Sequence, residues 1–152
     1  MSDIIIIPSG KSVPLSPVDS AFAHGFGIFE TMHYADGQIG FWHYHWARLS
    51  KSAKYFALLL PAEDEVFSAL RTHVSESTLD QGIVKISLMK ESAGSRLYVY
   101  SREQIEAPSN RRLRLDESCP IFDRSTLAGH KTHNYMEAIH LLSLARSRGD
   151  YD

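Results

Sequence analysis

Lys131 stands in "LAGHKTHNYMEAIH", among small and polar residues just ahead of a helical pattern. A lysine that opens a buried helix loses water from its charged form, which lowers its pKa and frees a nucleophilic amine able to form a Schiff base. The competing reading is a solvated lysine near a helix start, the commoner state of this residue. "SGKS" at 9–12 resembles the end of a phosphate loop, but Ile5 occupies the position where that pattern needs a glycine. "GFG" at 25–27 precedes a strand where a dinucleotide fingerprint needs a helix, so it reads as a loop with unusual backbone angles. Among the eight histidines, His43 and His45 would point to different faces of a helix. His130 and His133 could share an ion only if the helix began early, and no carboxylate or thiolate completes a set, so no metal is expected. A Ser-His-Asp hydrolase is a weak alternative, because the chain has no G-x-S-x-G elbow.

These residues sit in a chain of 152 residues, 43% hydrophobic and 11% aromatic, which is enough for a packed core. Sixteen basic residues against eighteen acidic ones give no excess of positive charge to attract nucleic acid. The single cysteine, Cys119, can form no internal disulfide, which favours a reducing, cytoplasmic setting. The apolar run at 4–7 is too short for a membrane span and lacks the basic lead of a signal peptide.

The elements that must position the lysine follow from periodicity. Residues 4–7 read as a short buried strand, "PLSPVDSAFAHGFG" as a loop, and "IFETMHY" as a strand entering a hairpin through the Asp-Gly of "ADGQ". From Trp42 the period changes: Trp42, Trp46, Leu49, Ala53 and Phe56 line one helical face, and Arg48 falls off that stripe. A second helix after Pro61 buries Val66, Phe67, Leu70 and Val74 and carries Glu63, Asp64 and Glu65 in its first turn. "VKISLM" and "RLYVYS" alternate as strands across the turn-like "ESAGS". The fold class is α+β: a sandwich-like N-terminal α/β domain at 1–103, a linker at 104–112, and the start of a second domain at 113–152. That second part holds a strand at 113–115 and a helix with Tyr135, Ala138, Ile139, Leu142 and Ala145 on its apolar face, stopping at Gly149.

Taken together, "VDSAFAHGFGIFETMHYADGQIGFWHYHWARLSKSAKYF" and "AGHKTHNYMEAIHLLSLARSRG" resemble the two signature regions of class IV aminotransferases. These are the fold-type IV pyridoxal-phosphate enzymes that include branched-chain and D-amino-acid aminotransferases and aminodeoxychorismate lyases. The resemblance implies that Lys131 holds pyridoxal 5'-phosphate and that Arg48 binds its phosphate, where a guanidinium can use two parallel hydrogen bonds. It further implies that Tyr135 contacts the cofactor ring hydroxyl, at a spacing from the lysine one residue shorter than in the family. Phe29 and Glu30 fall at the family's "FE" positions beside the substrate pocket, and Lys90 near a position used for the substrate carboxylate.

The implied function is transfer of an amino group between a small or branched amino acid and a 2-oxo acid, in a homodimer. An aminodeoxychorismate lyase and an inactive dimerisation module are the alternatives. The chain departs from the family at Asp19-Ser20-Ala21, commonly "DRG", and at Gly25-Phe26-Gly27, commonly "GDG". The resemblance also implies a cofactor domain longer than the residues that follow Lys131.

Overall fold

The computed structural model of the chain describes residues 2–7, 13–14, 16–77, 80–104 and 123–149. The expected linker beyond Gln104, the strand at 113–115 and Cys119 lie outside them. The chain divides into two compact units, Met1–Gln104 with His130–His133, and Ile105–Gly129 with Asn134–Asp152.

The first unit is built on a five-stranded sheet in the order β1-β5-β4-β2-β3, from β1 (Ser2–Ile7), β2 (Gly27–Ala35), β3 (Gln38–Ile39), β4 (Gln81–Glu91) and β5 (Gly94–Arg102). β1 pairs with β5 in parallel, a long-range pairing that no local signal announces, and the other neighbours are antiparallel. At the β2–β3 turn Asp36 and Gly37 take φ of 49° and 71°, the paired positive values that a type I′ hairpin requires.

Period-two alternation sorts each strand onto two faces. Ile28, Met32 and Tyr34 of β2, Val84, Ile86 and Leu88 of β4, and Leu97 and Val99 of β5 form one face and the hydrophobic core. That face is covered by α2 (Trp42–Tyr55) and α3 (Glu63–Ser75), through Leu49, Ala53, Val66, Leu70 and Val74. The apolar stripe read from the α2 sequence therefore faces the sheet, with Trp42, Trp46 and Phe56 packed at its margin. Trp42 Nε1 donates to Glu63 Oε1 at 3.0 Å and its ring stacks on Phe67 at 5.1 Å, which ties the starts of α2 and α3 together.

"PLSPVDSAFAHGFG" is not loop throughout: Ser20–His24 forms a one-turn helix, α1, after Asp19. Pro and Gly on either side mask so short a helix in the sequence. Asp19 Oδ1 instead accepts a hydrogen bond from Ser92 N–H at 2.8 Å, joining this segment to the β4–β5 turn.

In the second unit the described residues form turns at 123–129 and α4 (Met136–Ser147). Its expected apolar face is met only in part, at Leu142 and Ala145. Leu141, Leu142, Leu144 and Ala145 are half-buried, whereas Ala138 is exposed and Ile139 is 63% exposed. The helix carries apolar residues on more than one side, so periodicity alone does not single out one stripe.

Candidate functional site

Lys131 does not open a helix. Residues 131–133 lie extended along β2 beyond the reach of β3: Phe29 N–H donates to the Lys131 carbonyl, His133 N–H donates to the Gly27 carbonyl, both at 2.9 Å, and Ile28 bridges to Thr132. Two main-chain hydrogen bonds to a central strand thus fix the lysine backbone, and α4 begins only at Met136. Gly27 leaves room for this contact. A Cβ there would stand 3.0 Å from both His133 Cδ2 and the Leu88 carbonyl oxygen, tighter than packing tolerates without a shift.

Alternation places Lys131 and His133 on the sheet face opposite the core. Phe29 shares that face, and its register partners carry Ser87, Lys85, Tyr98 and Tyr100 onto it. The Phe29 ring is the common surface for two cations, with Lys85 Nζ 4.0 Å and Lys131 Nζ 5.0 Å from its centroid, and the His133 ring lies 5.0 Å away. Lys85 Nζ is also 5.8 Å from the Tyr100 ring.

Burial pushes the Lys131 amine below its ordinary 10.5; the Glu30 carboxylate draws it back up, while the charges of Arg48 and Lys85 push it further down. His133 is lowered to about 4, by burial first and then by Lys85, so its ring is neutral at pH 7. Among the described residues, Ser87 Oγ and His133 Nε2 are buried on this face without a hydrogen-bond partner.

Glu30 points the other way, among the core residues, and is 1% exposed. Such a carboxylate needs partners, and α2 supplies them. Arg48 Nε and Nη2 donate to its two oxygens at 2.6 and 2.5 Å, and His45 Nδ1 lies 2.8 Å from Oε2. Burial alone would raise this carboxyl, but the Arg48 and His45 hydrogen bonds, with the charges of Arg48 and Lys131, hold it below its ordinary 4.5. His43, by contrast, is exposed and lies against Tyr44 with its ring tilted by 41°, so His43 and His45 do point apart.

Of the residues singled out in the sequence, Phe29 and Lys131 share the face opposite the core, whereas Glu30 and Arg48 pair on the α2 side of β2 and act on the Lys131 amine through their charges. Lys90 alternates onto the face of β4 opposite Lys85 and Ser87, and its N–H bonds the Phe26 carbonyl at 2.9 Å. Tyr135 lies in the second unit, at the N-cap of α4. Lys85 and Ser87, which share the face of Lys131, were not singled out in the sequence. Their signal was present in "VKISLM", where they are the polar positions of an alternating strand, but that pattern also describes an ordinary solvated face.

Residues 27–152 match the family described as Amino-transferase class IV. The chain belongs to the class IV aminotransferase family. Among solved structures, a Legionella pneumophila protein provisionally assigned as a 4-amino-4-deoxychorismate lyase is 23% identical with a TM-score of 0.80, the alignment covering 98% of this chain and 58% of that one. An aminotransferase of Mycobacterium tuberculosis, described as hypothetical and in its PLP-bound form, is 22% identical with a TM-score of 0.75, over 95% of this chain and 56% of that one. The branched-chain amino acid aminotransferase of Escherichia coli is 16% identical with a TM-score of 0.78, over 91% and 52%. At these identities the likeness establishes the class IV fold, and the chain spans a little over half the length of the structures it matches. A search of curated proteins returns no match.

Proposed function

We propose that the protein is a pyridoxal-phosphate-dependent aminotransferase that moves an amino group between a small or branched amino acid and a 2-oxo acid. The observation that carries this reading is Lys131 itself, a half-buried amine with a lowered pKa, fixed to β2 by main-chain hydrogen bonds and facing Phe29. The donor chemistry fits the cofactor. The same face holds a second cation, Lys85, and two buried polar atoms without partners, Ser87 Oγ and His133 Nε2, as a polar anion would use. Lys131 would hold the aldehyde carbon. Arg48, which Glu30 orients through two hydrogen bonds, would hold the phosphate, as the family resemblance implies.

When bound, pyridoxal phosphate supplies an electron sink for charge left on the substrate α-carbon. Lys131 Nζ, kept short of its ordinary basicity by burial, takes the α-proton and returns it at a second atom. Glu30 limits how far that basicity falls and orients Arg48. Phe29 supplies an apolar wall between the two ammonium groups. We assign the substrate carboxylate to Lys85 in preference to Lys90, because Lys85 shares the face of Lys131. Tyr135 is proposed as a contact of the cofactor ring hydroxyl on family resemblance alone. The same resemblance, with the single cysteine, supports a cytoplasmic homodimer; among the described residues no helix is long and apolar enough to cross a membrane.

The likeness to the Legionella protein favours a second reading, an aminodeoxychorismate lyase that releases pyruvate and forms 4-aminobenzoate with the same lysine and arginine. A panel of D- and L-amino acids with 2-oxoglutarate or pyruvate, run beside aminodeoxychorismate, separates the two. Lys131→Ala is expected to abolish turnover in either case; full turnover in that variant would overturn both.

A further inference from the structure

The main chain after Lys131 is tied to β2, and the residue before it is tied to α2. His130 Nδ1 and Ser52 Oγ are hydrogen-bonded at 2.9 Å. The imidazole stacks on Tyr55, centroids 4.5 Å apart at 28°, and meets Phe56 edge-on at 4.8 Å and 68°. Ser52 is 3% exposed, and this bond gives its buried hydroxyl a partner. Arg48, Ser52 and Tyr55 follow one another at steps of four and three along α2, which places them in one row on the helix surface. The helix that presents the guanidinium therefore also grips the residue next to the lysine.

We propose that His130 is a positioning residue: its hydrogen bond to Ser52 and its seat on Tyr55 and Phe56 set the spacing between the Lys131 amine and the Arg48 guanidinium. The inference rests on the reading of those two groups as the holders of the cofactor's two ends. It goes beyond that reading by making the register of 130–133 on α2, and not only the β2 edge, a determinant of cofactor affinity. Lys131 feels the opposed charges of Glu30, Arg48 and Lys85, which makes its protonation sensitive to small displacements.

The test uses the full protein and four variants. Ser52→Ala removes the bond with little risk to folding, His130→Phe keeps the ring without Nδ1, His130→Asn keeps a hydrogen-bonding group without the stack, and Ser52→Ala is also combined with His130→Phe. Two quantities are read: the Kd for pyridoxal phosphate, and, in cofactor-free protein, the uncharged fraction of Lys131 at pH 8 from the pH dependence of its reductive methylation. Ser52→Ala and His130→Phe should each weaken cofactor binding and lower that fraction about three- to tenfold, the span of one hydrogen bond. The double variant should be no worse than either single one, and His130→Asn should recover part of the loss. A merely structural contact would lower the melting temperature and move neither quantity. Unchanged Kd and methylation in Ser52→Ala, or additive effects in the double variant, would overturn the proposal. Should the parent protein bind no pyridoxal phosphate, the functional reading falls, while Lys131 methylation still decides the role of His130.

Discussion

Glu30 is the residue on which the two faces of β2 depend. Glu30→Gln keeps its shape but removes the charge that Arg48 and His45 share, and with Arg48 half exposed the cost should be about 1–3 kcal/mol by denaturant melts. Because the folded carboxyl lies below its ordinary 4.5, its stabilisation is in force above that value and is lost as pH falls through the lower folded value. The same substitution should lower the Lys131 amine further, since Glu30 is the group that raises it. His133 acts earlier in an acid titration. Its folded value of about 4 against an ordinary 6.5 means that the unfolded chain binds more protons across that window, so stability falls as pH drops through it, by roughly 3.5 kcal/mol at about 1.4 per unit. His73, also lowered by burial, contributes with the same sign. The check is therefore a difference: His133→Asn should show a shallower loss of melting temperature between pH 6.5 and 4 than the parent. At this scale the sequence pointed to Lys131 through its setting and to Arg48 through family resemblance; Lys85, proposed above for the substrate carboxylate, was not singled out, because a lysine in an alternating strand signals solvent before it signals a ligand.

At the scale of elements, β2 and α2 do most of the positioning. β2 carries Glu30 toward α2 and Phe29 toward Lys131, and its edge receives residues 131–133. Gly27→Ala should push on His133 and the Leu88 carbonyl, lower stability by about 1–3 kcal/mol, and lessen the protection of Phe29 N–H from hydrogen exchange. Ile86→Ala, in the core beneath, should cost about 2–5 kcal/mol in the same denaturant assay while leaving the Lys131 face intact. The strands and long helices were legible because their periods of 2 and 3.6 run for several turns, as in "VKISLM" and the Trp42–Phe56 stripe. α1 was not, being a single turn, and neither was the parallel seating of β1 on β5, which joins segments far apart in the chain. The lysine segment was misread as a helix start because the signal of α4 sits only a few residues downstream.

For the whole molecule, family membership and fold place this chain among the class IV aminotransferases, and the chemistry proposed for it turns on one amine. The family was legible because two separated signatures occur in the right order; the inner side of α4 was legible only at Leu142 and Ala145, because its apolar residues lie on more than one side. Lys131 should be the residue that takes the cofactor. Pyridoxal phosphate added to the protein, reduced with borohydride, and followed by peptide mass mapping should place a pyridoxyl group on the peptide containing Lys131, with Arg48→Ala needing a higher cofactor concentration for the same yield. A stable label found on Lys85, Lys90 or another lysine, with Lys131 unmodified, would contradict the account.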